Sequence, residues 1–259
     1  MKTYELGLAV VIACAPAACQ AAAEAKPDPP GLAPTPQVPA NPGRTTEREL
    51  PSSQRFERDM MLRFHMLSSL DMARTIERLL VRGNLDDARY FAGALATEPD
   101  VPGLGAWAKQ IEMVRERAGA VALAPTIDEA CRRTAGLIEA CASCHADAGA
   151  QADFRPPQAA PPDLQTLGAR MARHRWATDR IREGMIGDAD DAWRAGFEVL
   201  AAAPLSLPQP RANQEALGRR LQHLASQALH AGHSDRAARA RLYGETLIVC
   251  AACHAQPAK

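Results

Sequence analysis

The sequence predicts an all-α protein made of two tandem antiparallel four-helix bundles. Hydrophobic residues make up 47% of the chain but aromatic residues only 4%, and the Ala-rich text contains few of the β-branched runs that favour strands. Apolar residues recur at steps of three and four, which is the helical period. The second half of the chain also repeats features of the first, and 259 residues are enough for two domains.

The balance of charge argues against one class of partner. The chain has 30 basic and 30 acidic residues, so its formal net charge is zero. A nucleic-acid-binding domain usually carries a basic patch or stripe, and this composition gives no sign of one. We therefore expect no nucleic-acid partner.

Residues 1–19 have the pattern of a signal peptide. An apolar run extends from Leu6 to Ala18; it is too short to cross a bilayer but has the length of a signal-peptide core. Cys14 and Cys19 both follow small residues, as the acylated cysteine of a lipoprotein does. The residues before Cys14 fit that motif better, Cys19 lies at the better distance, and ordinary cleavage without lipidation is the alternative. The pattern predicts a periplasmic protein, with or without a lipid tether to a membrane.

Two Pro-rich segments divide the rest of the chain. Residues 20–52 contain "KPDPPGLAPTPQVPANPG", a composition typical of an extended spacer. Residues 151–163 contain the second such piece, "FRPPQAAPPD". Two domains of similar size are therefore predicted, at 53–150 and 164–259. Because a Pro-rich linker offers few contacts, we expect the two to fold separately.

The two predicted domains resemble each other in sequence. The segment "RGNLDDARYFAGALA" at 82–96 parallels "IGDADDAWRAGFEVLA" at 186–201, with Gly83 matching Gly187 at an offset of 104 residues. Self-similarity at a fixed offset is the sign of a tandem duplication. Each half is therefore expected to repeat one structural plan.

Four helices are predicted in each half, joined by short loops as in an up-down bundle. In the first half they cover about 54–82, 84–98, 103–122 and 126–147. In the second half the first helix ends at Gly187, and the others cover 188–202, 213–231 and Ser234 to Cys250. The apolar stripe of the first of these helices consists of Leu164, Leu167, Met171, His174, Ala177, Ile181 and Met185.

The motif Cys-x-x-Cys-His occurs twice, as "CASCH" at 141–145 and "CAACH" at 250–254. The two copies are 109 residues apart, so one short insertion, expected in an interhelical loop, reconciles this spacing with the offset of 104. A thioredoxin-like dithiol would need a βαβ context, which is absent. A zinc site could join the two cysteine pairs but would leave the histidine of each copy unexplained. Covalent haem attachment explains both histidines.

In such a motif the two thiols form thioethers with the haem vinyl groups, and the histidine ligates the iron from the proximal side. On a helix the first cysteine and the histidine lie four residues apart on one face. Two covalently bound haem c groups are therefore predicted. The predicted attachment residues are Cys141, Cys144, Cys250 and Cys253, and the predicted proximal iron ligands are His145 and His254.

The position of the motif indicates which cytochromes the chain resembles. Only five residues follow His254, so an axial ligand well downstream of the motif is excluded for the second haem. A bundle with the motif in its last helix resembles the class II cytochromes c, the cytochrome c prime group, over residues 53–259 as two tandem units. The resemblance implies a distal side facing the first helix of each bundle, where either Met ligates the iron or an apolar residue leaves it five-coordinate.

Candidate distal residues differ between the two halves. In the second half Met171 and His174 both lie on the inward stripe, and both thioether and imidazole ligate haem iron. The alternative is that Met171 fills the core and that His174 is hydrogen-bonded or at the surface.

In the first half Leu67 and Leu70 occupy the corresponding positions at the offset of 104. A one-residue slip brings Met66 into register, whereas His65 points elsewhere on the helix. The distal sides of the two predicted haems are therefore expected to differ. Cys131 has no counterpart in the second half and is expected to be a buried thiol.

These sites predict a cytochrome that carries single electrons between periplasmic or membrane-bound redox proteins, and not a catalyst. The alternative from a different class is a haem protein that binds or senses a small gas at a five-coordinate iron, which Leu67 and Leu70 would suit. A di-haem peroxidase is a third and weaker interpretation, since that group resembles the cytochromes whose haem motif comes early.

Overall fold

A computed structural model describes residues 52–100, 105–149, 154, 159–162, 166–202, 213–230 and 235–254. The predicted signal peptide and nearly all of the first Pro-rich segment lie outside these residues. The chain divides into two compact units, Met1–Pro39 and Ala40–Lys259, and every described residue belongs to the second unit.

The described part of the chain is all-α, as predicted, with no strand. Its helices are α1 (Ser52–Val81), α2 (Leu85–Ala96), α3 (Ala108–Ala122), α4 (Ile127–Ala148), α5 (Leu167–Ile186), α6 (Asp190–Ala202), α7 (Gln214–His230) and α8 (Arg236–His254). A 3₁₀ turn at Gly105–Trp107 precedes α3. None of these helices combines the length and the apolar character needed to cross a bilayer.

Local signals account for the helix ends. The backbone N–H of Glu129 donates to Oγ1 of Thr126 at 3.2 Å, and the N–H of Ala169 donates in the same way to Thr166 at 3.3 Å. These side chains satisfy N–H groups that have no partner within the helix. Gly149 closes α4 in the left-handed region at φ 58°, which glycine adopts without strain.

Each half has the same pattern of neighbours. Helix α1 packs on α2, α2 on α3 and α3 on α4, and α1 also contacts α4; helices α5 to α8 repeat these contacts. Helix α4 begins at Ile127 and α8 at Arg236, which are 109 residues apart, whereas α2 and α6 follow the offset of 104. The expected insertion therefore lies between the third and fourth helices of the second half.

The two halves also pack on each other, which differs from the expectation of few contacts between them. Helix α4 crosses α8, α1 contacts α8, and α4 contacts α5. At the α4–α8 crossing, a Cβ placed on Gly244 would lie 3.2 Å from Cα of Arg132 and 3.3 Å from Cβ of Ala135, so the helices approach closely there. Residues 53–150 and 164–259 thus share an interface within one compact unit, while the predicted domain boundaries themselves stay a prediction.

The second Pro-rich segment also contacts the helices. Phe154 packs against Gly187, and Nη1 of Arg173 donates to the carbonyl oxygen of Pro161 at 2.7 Å. The described residues of this segment are therefore attached to the second half, and the linker does not keep the halves apart.

A buried charged cluster connects the halves. Glu77 on α1 and Arg182 on α5 form an ion pair, with exposed fractions of only 5% and 3%. The hydroxyl of Tyr243, on α8, donates to Oε1 of Glu77 at 2.8 Å, and Arg182 also pairs with Asp179. Burial, and then the nearby Glu77 carboxylate, raise the pKa of Tyr243 well above its ordinary value, so its phenol stays protonated. One carboxylate thus holds three helices together.

Candidate functional site

Both Cys-x-x-Cys-His copies are helical. The copy at 141–145 lies in the last two turns of α4, and the copy at 250–254 forms the C-terminal end of α8. A helical rise of 1.5 Å with 3.6 residues per turn puts the two cysteines and the histidine of each copy on one face. The structure therefore presents each motif as two thiols and an imidazole on a single helical surface.

The motif cysteines are half-buried, and no disulfide occurs among the cysteines that the structure describes. Burial raises the pKa of the Cys141 thiol to about 12, with a further contribution from Cys144. Cys250 is raised to about 12 in the same way, by burial and then by Cys253. Because the thiolate is the reactive species in dithiol exchange, this environment does not favour a redox pair.

No group of three or more His, Cys, Asp or Glu side chains in the described ranges is arranged to hold a metal ion. The zinc interpretation requires both cysteine pairs to meet in one cluster of ligands. Within the described ranges the pairs lie on different helices and do not form such a cluster.

His174 is placed where the sequence predicted a distal residue. It is half-buried on α5, which contacts α8. Burial lowers the pKa of His174, and the charges of His254 and then Arg173 lower it further. Its Nε2 atom is buried and has no hydrogen-bond partner among the described residues. The structure thus brings His174 into the electrostatic range of His254 and leaves one of its ring nitrogens without a bond.

This orphaned nitrogen is a test of fit for haem. A buried imidazole nitrogen without a partner is unfavourable, whereas imidazole nitrogen is a common axial ligand of haem iron. Met171, the other candidate, is also half-buried on α5. The residues of the second half therefore fit a haem bound at Cys250, Cys253 and His254.

The first half presents its candidates differently. Leu70 packs partly against the core, Met66 is 36% exposed and Leu67 is 67% exposed. Nδ1 of His65 lies 3.4 Å from Oε1 of Glu98, so this histidine contacts the segment after α2, in agreement with the expectation that it points elsewhere. Met66 therefore lies closer to the buried side of α1 than Leu67 does.

Two features of this region were not predicted from the sequence. The cluster of Glu77, Arg182 and Tyr243 gave no signal, because its members are far apart in the chain and look like surface residues. The N-terminal part of α1 also carries an exposed apolar face, which the recurrence of large apolar residues at steps of three and four could have indicated. This face consists of Phe56, Met60, Phe64 and Leu67.

Comparisons with protein families, with curated proteins and with solved structures find no match for this chain.

Proposed function

We propose that the protein is a di-haem c-type cytochrome that transfers single electrons between periplasmic or membrane-bound redox proteins. The observation that carries the proposal is the repeated placement of one helical Cys-x-x-Cys-His surface at the end of α4 and again at the end of α8. Chance would have to produce the same five-residue pattern twice at matching places in a duplicated plan.

The proposal gives each residue of the motif a role. In the first half, Cys141 and Cys144 attach the macrocycle and His145 ligates the iron. In the second half, Cys250, Cys253 and His254 do the same. Haem bound in this way supplies an iron that gains and loses one electron. The chain attaches and orients it, and the apolar side chains around it keep water away.

In this proposal each half is a four-helix bundle similar to the class II cytochromes c. The support is the neighbour pattern, in which the first helix of each half contacts the fourth. The proposed location is the periplasm, and a lipid at Cys14 or Cys19 would be the only attachment to a membrane.

A second candidate function is binding of a small gas at the first haem. The observation that favours it is Leu70, an apolar residue at the position that His174 holds in the second half. An iron without a distal ligand binds carbon monoxide or nitric oxide readily. Met66 decides between the two, because a thioether on the iron would close the site.

Haem content is the direct test. The full chain, expressed in a bacterial host with the machinery for covalent haem attachment, is expected to carry two haems per chain in a pyridine haemochrome assay, both surviving denaturation and acid-acetone extraction. Replacing Cys250 and Cys253 with Ser is expected to leave one haem. Replacing Cys131 with Ser is the matched control and is expected to leave two. A wild-type protein with one haem or none overturns the proposal.

A further inference from the structure

We propose that Nε2 of His174 is the distal ligand of the second haem iron, so that this haem has two histidine ligands. The inference rests on the proposed function and deepens it, since it assigns the sixth ligand and the class of the site. It also removes Met171 from the candidates and makes the second haem closed to small gases.

The first step of the argument is the state of the His174 side chain. Nε2 is buried and has no hydrogen-bond partner in the part of the chain that is described. Most buried polar atoms in native proteins do have a partner, so an orphaned one calls for a bound group that the protein provides for. A neutral imidazole nitrogen has a lone pair, which is what an iron ligand needs.

The second step is direction. Ile181 is fully buried on α5 and marks the side of the helix that faces the core. His174 precedes it by seven residues, which at 3.6 residues per turn leaves it about 20° from that direction. Met171 precedes it by ten residues and lies about 80° away. His174 is therefore the candidate that points most nearly into the second half.

The third step is the partner across the interior. The charge of His254 acts on His174, as does that of Arg173 beside it on α5. Within an antiparallel pair the N-terminal part of α5 runs beside the C-terminal part of α8, and α5 and α8 are in contact. The proximal and distal imidazoles thus come from the two helix segments that would enclose the haem.

The assignment makes the two haems different. Two imidazole ligands give a low-spin iron that carbon monoxide does not readily enter, with a lower reduction potential than an iron with a Met ligand. The first half has no histidine at the corresponding position, where Leu70 stands.

The test uses the full-length protein with its haems attached and compares wild type, His174→Ala and Met171→Ala. Electron paramagnetic resonance and near-infrared magnetic circular dichroism of the ferric protein report axial ligands, and titration of the ferrous protein with carbon monoxide counts open irons. The wild-type spectra are expected to contain a bis-histidine low-spin signal. His174→Ala is expected to lose it and to bind one more carbon monoxide per chain, while added imidazole restores the low-spin signal. Met171→Ala is expected to change neither.

The outcomes separate the two proposals. Two haems per chain without a bis-histidine signal in the wild type overturn the His174 assignment but leave the cytochrome proposal standing. The same holds if Met171→Ala, and not His174→Ala, changes the spin state. If His174→Ala does not accumulate, the wild-type spectra alone decide. A chain without covalent haem overturns both.

Discussion

The two halves make the same hydrogen bond with different side chains. In the first half Nε of Arg89 donates to the carbonyl oxygen of Ala124 at 2.9 Å, and in the second Nε1 of Trp193 donates to that of Ala228 at 3.0 Å. Both donors and both acceptors are 104 residues apart. The duplication therefore preserved the contact between the second and third helices while the chemistry of the donor changed.

Elsewhere the halves differ in the contact itself. At the same offset Arg182 corresponds to Arg78, which is exposed, and Glu77 corresponds to Ile181. The buried ion pair therefore exists once in the chain, at one side of the interface between the halves, and has no counterpart across it. This comparison teaches that the repeated plan fixes the helices, whereas single buried polar residues fix how the halves are held together.

The largest expected effect comes from breaking this ion pair. Arg182→Met keeps most of the side-chain volume but leaves the carboxylate of Glu77 buried without its cation. Removing one partner of a buried pair typically costs about 3–5 kcal/mol. We expect a loss of that size in the free energy of unfolding, measured by circular dichroism in urea.

The repeat supplies the control for this experiment. Arg78→Met changes the corresponding exposed residue and is expected to alter stability by no more than about 0.5 kcal/mol. If the two variants lose the same amount, the asymmetry between the halves has no energetic meaning. The double variant Glu77→Gln with Arg182→Met is expected to regain part of the loss, because no unpaired charge then remains.

Tyr243 gives the same cluster a pH dependence. Its pKa in the folded protein is raised well above that in the unfolded chain, so above about pH 10 the unfolded state releases a proton that the fold retains. The free energy of unfolding is therefore expected to fall as the pH rises beyond 10. Tyr243→Phe should weaken this fall and, at pH 7, cost about 1.5–3 kcal/mol for the lost bond to a charged acceptor. An unchanged alkaline slope would contradict the assignment.

The halves also differ in how closely their first two helices approach. A Cβ on Gly184 would lie 2.5 Å from the backbone nitrogen of Trp193, whereas Leu80 occupies the corresponding place in the first half. Gly184→Ala must push α5 and α6 apart, and overpacking of this kind costs about 1–3 kcal/mol. Gly93→Ala on α2 is the control, because nothing lies within 4 Å of the added carbon, and is expected to gain up to about 1 kcal/mol. Similar urea midpoints for the two variants would contradict the close approach.

Much of the fold could be predicted from the sequence because its signals are local. Helix α4 was expected at 126–147 and runs from Ile127 to Ala148, since Thr126 caps it and Gly149 ends it. The inward place of His174 also followed from steps of three and four residues. The packing of α4 on α8 could not be predicted, because it depends on the small residues Ala135 and Gly244 meeting across two distant segments. Local periodicity carries no information about such pairs.

The smallest expected effect concerns Cys131, which is fully buried on α4. At the offset of 109 that relates the two motifs, its counterpart is Ala240, also buried. Cys131→Ala therefore repeats the choice of the second half, and removing one buried sulfur atom is expected to cost about 1 kcal/mol or less, with both haems retained. Loss of a haem in this variant would assign Cys131 a role that burial alone does not explain.

Labelling of the wild-type protein tests the same difference from the other side. Burial, with the nearby Cys250 as the next cause, raises the pKa of Cys131 to about 12, so at pH 8 about one thiol in ten thousand is ionised in the fold, against about one in ten in the unfolded chain. Because the thiolate is the nucleophile, iodoacetamide is expected to leave Cys131 unmodified in the native protein and to modify it in urea. Peptide mapping by mass spectrometry should find the label at Cys131 and at none of the four motif cysteines. Label at Cys250 or Cys253 would instead show a thiol where the halves are proposed to be alike.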